Sequence, residues 1–117
     1  MSQSFGRHVR LRHRAEFLAV QENGRRISGR NMTMLVLPNT QGVDRLGVVA
    51  SKKLGGAVVR NRAKRRVREM FRLGLPTRDM SPRSLDIVVI PKRELAGTPF
   101  ETLQHEFDAA LSKLRAR

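Results

Sequence analysis

The chain has 117 residues, with 24 Lys plus Arg against 10 Asp plus Glu and a formal net charge of +14. That length holds one modest core rather than two, which excludes a multidomain enzyme and makes 1–117 a single domain. With no cysteine, disulfide scaffolds, thiolate zinc sites, iron–sulfur centres and cysteine nucleophiles are excluded as well. So basic a domain repels itself unless it lies against a polyanion, and nucleic acid is a stronger expectation than an anionic membrane surface. No run of 18 apolar residues offers a transmembrane helix, and no apolar signal segment stands at the N-terminus. A cytoplasmic protein with no membrane partner is expected; the acid-free, Arg-rich residues 1–15, shared in composition with transit peptides, give the alternative.

Residues 1–13 carry Arg7, Arg10 and Arg12 without hydrophobic periodicity and read as a basic N-terminal arm. Helix formers take over from Arg14 to Glu22, and Asn23-Gly24 supplies a stop. On that helix Leu11, Ala15 and Leu18 project to one side and Phe17 and Val20 to another, so one side packs and the other lines a surface. Arg25 to Ser28 is a candidate short strand, and the nearly continuous apolar run Met32 to Leu37, closed by Pro38, reads as a mostly buried one. Asn39 to Asp44, with Gly42, reads as a hairpin connection to a strand over Leu46 to Ser51, predicting antiparallel pairing of those two strands.

The clearest helix spans 57–73 and ends before Gly74 and Pro76. An irregular loop follows to Ser84, and Leu85 to Ile90 is a strand that, coming after a helix, is a candidate parallel neighbour of the 46–51 strand. The last helix shows Thr98 as N-cap, Pro99 at its first position and Glu101 completing a capping box. Phe100, Leu103, Phe107, Leu111 and Leu114 give it one apolar face. The fold class is α+β, a mixed sheet packed with helices in the order α-β-β-β-α-β-α.

Between Lys52 and Arg72 stand nine Lys or Arg and one acid, Glu69. Projected at about 100° per residue, Val59, Ala63, Val67 and Met70 share a stripe with Phe71 at its edge. Asn61, Lys64, Arg65, Arg68 and Arg72 fall opposite, flanked by Arg60, Arg62 and Arg66. A solvated face mixes signs, because like charges four residues apart repel, yet Arg60, Lys64, Arg68 and Arg72 repeat that repulsion three times. A polyanion resolves it. Arginine, nineteen against five lysines, grips phosphate with a planar fork and stacks on unpaired bases. Ahead of the helix, Gly55-Gly56 beside Lys52 and Lys53 reads either as a phosphate-cradling loop or as a plain turn, without the spacing of a P-loop.

The string S-K-K at 51–53, G-x-A-V at 55–58 and R-N-x-x-K-R-x-x-R at 60–68 resembles the signature of the bacterial ribonuclease P protein component. The flanks agree: Phe17, Val20 and Gly24 at the end of the first helix, Asp86 to Val89 in the late strand, and the amphipathic last helix. The resemblance implies a small protein that joins a large catalytic RNA to form the endonuclease removing the 5′ leader from precursor tRNA, the RNA performing the hydrolysis with bound Mg2+. It implies RNA contact by Lys52, Lys53, Arg60, Asn61, Arg62, Lys64, Arg65 and Arg68, and leader contact by Arg10, Arg12 and Phe17 in a cleft between the sheet and the first helix. It further implies an unusual left-handed βαβ crossover, where general rules give a right-handed one; no obligate protein partner is expected. At two positions often aromatic in that family this chain has Gln21 and Leu35, so stacking in the cleft falls mainly to Phe17, helped by Phe5 or an arginine plane.

Catalysis by the protein itself is not expected. Its acids are scattered, and the nearest constellation, Glu101, His105 and Asp108, is explained by capping and a solvated helix face. His8 and His13 sit in the basic arm, as RNA contacts or idle. The competing readings are a structural RNA-binding protein, such as a ribosomal protein or RNA chaperone, and a DNA binder using a helix in the major groove. Continuous arginine coverage without a helix-turn-helix pair speaks against the latter.

Overall fold

Two eight-residue strands, each apolar on both faces, organise the molecule. The computed structural model describes residues 10–74 and 84–115. Its elements are α1 (Arg14–Asn23), β1 (Arg25–Ser28), β2 (Met32–Asn39), β3 (Arg45–Val48), α2 (Ala57–Gly74), β4 (Ser84–Pro91) and α3 (Phe100–Arg115), in the expected order, with 3-10 turns at Lys52–Leu54 and Arg93–Gly97. Most of the expected basic arm, with Phe5 and His8, and the expected loop over 75–83 lie outside the described residues.

The sheet order is β1-β2-β4-β3, antiparallel except for the β3–β4 pair. The parallel β3–β4 pairing matches expectation, but the antiparallel hairpin between β2 and the 46–51 strand does not form: β4 lies between them. Burial decides the order. β2 and β4 are apolar on two faces and take the centre, where both faces can be covered, and the four-residue β3 takes an edge. The connection over 40–44 therefore crosses the end of β4 and is held there by side chains. Asn39 Nδ2 donates to Val43 O and to Asp86 Oδ1 (3.3 and 2.7 Å), and Asp44 Oδ1 accepts the Leu85 N–H (2.9 Å). The β3 strand also ends earlier than expected, at Val48, although the Val49 N–H still reaches Val89 O at 3.0 Å.

Alternation along the strands divides the core into two parts. Met32, Met34, Val36, Leu46, Ile87 and Val89 pack under α2 and α3, against Val67, Met70, Phe71, Leu103, Phe107 and Leu111. On the other face Leu35 and Val88 meet Val20 of α1 and Leu11, with Phe17, Leu37, Val49 and Ile90 half-buried around them. The packed side of α1 is thus the one carrying Phe17 and Val20, and Ala15 and Leu18 are exposed. Leu11 changes sides relative to the helical projection because it precedes the helix: its N–H donates to Leu46 O (3.0 Å), laying the chain along the β3 edge.

The α3 apolar face is buried as its spacing predicts, with Phe100 half-buried and Ala110 added. Its N-terminal cap differs. Thr98 Oγ1 lies 2.8 Å from Asn31 Oδ1 and 2.9 Å from Glu94 O, so its hydroxyl ties the preceding 3-10 turn to the β1–β2 hairpin instead of capping α3. Glu106 completes that tie by accepting the Asn31 N–H and Nδ2 (3.1 and 2.8 Å).

Candidate RNA interface

The α2 helix packs through Ala63, Val67, Met70 and Phe71. Its outer arc presents Asn61, Arg62 and Arg65 as exposed side chains, with Arg60, Lys64, Arg66, Arg68 and Arg72 half-buried beside them. Val59, expected in the packed stripe, is 39% exposed, and Val58 is 73% exposed. Both lie on the first turn of the helix, beside Leu54, Leu95 and Ala96 but not enclosed by them.

Acids scarcely neutralise this surface. Glu69 is engaged with Arg72, three residues on, by two hydrogen bonds of 3.1 and 2.6 Å, and the Arg72 guanidinium holds its carboxyl below the usual range. Arg66 Nη1 donates to Leu95 O and Thr98 O (3.5 and 3.1 Å), anchoring the 93–97 turn to α2. The Arg60 Nε is buried and satisfied by no hydrogen bond among the described residues. Lys52 and Lys53 are exposed on the 3-10 turn before the helix. Gly55 ends that turn, its N–H reaching Lys52 O (3.2 Å), with φ 147°, a backbone that L side chains rarely adopt. The glycine pair thus acts as a turn that starts α2, with the Gly56 carbonyl accepting the Arg60 N–H at 2.9 Å.

The second surface lies on the opposite face of the sheet. Phe17 projects from α1 onto β3, where a Cβ at residue 47 would collide with its ring, so Gly47 is what lets the aromatic lie against the strand. By register, the neighbouring row on this face holds Ser28, Thr33, Ile90 and Val49. Ile90 and Val49 are half-exposed, forming a shallow apolar floor beside Phe17. Leu35 is only 4% exposed, beneath α1, and Gln21 is exposed, so neither offers a stacking surface in this chain.

Arg10 and Arg12 meet at the N-terminal end of α1, around an open hollow of about 270 Å3 shared with His13, Glu16 and Arg45. A chain of polar contacts that the sequence did not disclose fixes this corner. Glu16 accepts the Arg12 and His13 N–H groups (3.1 and 3.2 Å) and the Arg45 guanidinium (3.0 Å). Arg45 in turn holds buried Asp86 with two bonds of 2.8 and 2.9 Å. Burial pushes the Glu16 carboxyl up, but the two backbone donors and Arg45 outweigh it and hold it below the usual range. The hydrogen bonds that Arg45 donates to Asp86, reinforced by the charges of Asp86 and Glu16, raise the Arg45 guanidinium against its burial. The clue was available: a carboxylate at Asp86 inside an apolar strand demands a buried cation.

The two surfaces meet along the β3 edge. Burial and the like charge of Arg10 together lower the Arg68 guanidinium below its ordinary value, so an expected leader residue and an expected RNA residue share one corner. Glu101 and His105 are exposed, and Asp108 Oδ1 accepts Gln104 Nε2 at 3.1 Å. Among the described residues no three His, Cys, Asp or Glu converge as a metal site, and no helix is long and apolar enough to cross a membrane.

Residues 5–115 match the family described as Ribonuclease P. The ribonuclease P protein component of Petrotoga mobilis is 33% identical over 118 residues, covering 97% of this chain and 98% of the relative. That of Desulfatibacillum aliphaticivorans is 45% identical over 90 residues, 77% of this chain and 74% of the relative. Among solved structures, the RNase P protein of Thermotoga maritima superposes with a TM-score of 0.75 at 32% identity, covering 92% of this chain and 96% of the other. The Staphylococcus aureus RNase P protein gives 0.75 at 28% identity, covering 91% and 96%.

Proposed function

The chain belongs to the ribonuclease P protein family, and from that premise we propose that α2 grips the catalytic RNA while the cleft beside α1 receives the 5′ leader of precursor tRNA. As a ribonuclease P protein component it is a subunit of an endoribonuclease, with the ribonuclease P RNA as its partner, and the reading as a structural RNA-binding protein gives way. Arg60, Asn61, Arg62, Lys64, Arg65 and Arg68, with Lys52 and Lys53, serve the RNA. Arg10 and Arg12 take leader phosphates, and Phe17 stacks on a leader base above the floor of Val49 and Ile90.

The observation that carries this division is the placement of a cationic helix and a partly apolar cleft on opposite faces of one sheet, joined where Arg10 approaches Arg68. Hydrolysis belongs to the RNA. Mg2+ is held more often by phosphates than by an all-protein cage; we assign the ions to RNA phosphates, and the protein supplies fixed cations that lower repulsion between the two RNAs as they approach. The setting proposed is the bacterial cytoplasm.

The test is leader release from a precursor tRNA at near-physiological magnesium, with protein alone, a bacterial ribonuclease P RNA alone, and both together. Cleavage mainly in the mixture is expected. Cleavage by protein alone, or no stimulation in the mixture despite tight RNA binding, overturns the proposal.

A further inference from the structure

A small hollow opens at the start of α2, separate from the cleft. Val58, Val59 and Ala63 of the helix face Leu54, Leu95 and Ala96 across a cavity of about 110 Å3. Its lip carries Arg62, Arg66, Lys92 and Arg93, with no acid among the lining residues. Arg66 and Lys92 are fixed: the first to the Leu95 and Thr98 carbonyls, the second to Ser28 Oγ and Gly29 O at 2.9 and 2.5 Å. Arg62 and Arg93 are exposed. Rigid cations thus hold the rim while two adaptable ones reach outward.

Val58 and Val59, 73% and 39% exposed on the first turn of an interface helix, call for an occupant, and both size and charge select it. The cavity is well below the few hundred Å3 of a drug-sized ligand site, and an amphipathic helix would need a groove with several anchors. A second copy of a chain at +14 would bring cations against cations. One planar ring on a polyanionic backbone meets both requirements: the ring against Val58 and Val59, the flanking phosphates on Arg62 and Arg93.

We infer that this hollow receives a single unstacked nucleobase of the ribonuclease P RNA, inserted between the start of α2 and the 93–97 turn. Resting on the reading that α2 faces that RNA, the inference adds that one contact there is to a base and carries discrimination that phosphate gripping lacks. Arg62 belongs both to the rim and to the outer arc of α2, so the base site is continuous with the phosphate-binding face. The Arg62 guanidinium can also stack over the inserted ring.

The experiment compares Ala96→Leu, which fills the hollow, and Val58→Ser, which removes an exposed apolar wall, with wild type and Arg65→Ala. Binding of a bacterial ribonuclease P RNA is titrated across a salt series, and dimethyl sulfate reactivity of the RNA is read in each complex. Both hollow variants are expected to bind roughly tenfold to a hundredfold more weakly, as for loss of one stacked base, with an unchanged log–log salt slope. A base protected by wild-type protein becomes reactive with them. Because Val58 is so exposed, Val58→Ser retains the fold even if Ala96→Leu perturbs it. Wild-type binding and protections by both variants overturn the inference, as does a weakened affinity accompanied by a shallower slope, which would make the rim a phosphate contact only. Unchanged RNA binding with a shift in the sedimentation of the free protein would assign the hollow to a protein partner and overturn it too. A normal slope and affinity in Arg65→Ala would strike the α2 reading itself, a result distinguishable from failure of the base site.

Discussion

Glu16 is a small residue choice with a large reach. One carboxylate receives two backbone N–H groups from the chain ahead of α1 and a guanidinium from β3, so the backbone that carries Arg10 and Arg12 is fixed to the sheet through Arg45 and Asp86. Because the folded carboxyl titrates below its ordinary value of 4.5, its contribution to stability is fully present above that value and is lost as pH falls through the folded one. Glu16→Gln removes the charged acceptor and should cost about 1–3 kcal/mol at pH 7. Urea unfolding at pH 7 and at successively lower pH checks this: the gap between wild type and variant should narrow below pH 4.5 and close once the folded wild-type carboxyl is itself protonated. A gap independent of pH would mean that shape, not charge, is what Glu16 supplies.

At the scale of the element, α2 separates cations that face outward to meet phosphate from those already engaged within the fold, Arg66 by two carbonyls and Arg72 by a carboxylate. Arg65 is exposed and Arg68 is half-buried beside Arg10, whereas Arg72 is matched by Glu69. Arg65→Ala and Arg68→Ala should each flatten the log–log salt dependence of RNA binding by about 0.7–0.9, and Arg72→Ala should leave it close to wild type; filter binding across a salt series measures all three. This helix was legible in the sequence because its apolar stripe and its like-charged arc both repeat at helical spacing. The first turn was not legible. Periodicity places Val59 with Ala63 and Val67, but packing depends on which neighbours reach that far, and here Leu54, Leu95 and Ala96 leave Val59 39% exposed. The α3 boundary shows a similar limit: Thr98 has the chemistry of a cap, yet Asn31, 67 residues away in sequence, competes for its hydroxyl.

Across the whole molecule, strand identity could be read from apolar runs, but strand order could not. Met32 to Leu37 and Leu46 to Ser51 look like a hairpin, because proximity in sequence is the only pairing cue the chain offers. The deciding fact is that β4, arriving after α2, also needs both faces covered and takes the centre. That insertion sets α2 on one face of the sheet and Phe17 on the other, and it separates the expected RNA-binding and leader-binding residues everywhere except at the β3 edge. Double-mutant cycles read this geometry directly. With the sheet between them, Phe17→Ala and Arg65→Ala should act on different steps, the first on affinity for leader-bearing substrate and the second on assembly with the RNA, and their free energies should add to within about 0.5 kcal/mol. Arg10→Ala and Arg68→Ala share one corner, so losing the second should cost less than losing the first, with a coupling of about 0.5 kcal/mol or more in the affinity of the assembled enzyme for substrate. Additivity at that corner, or coupling across the sheet, would show that the two surfaces are divided somewhere other than where the β3 edge puts the boundary.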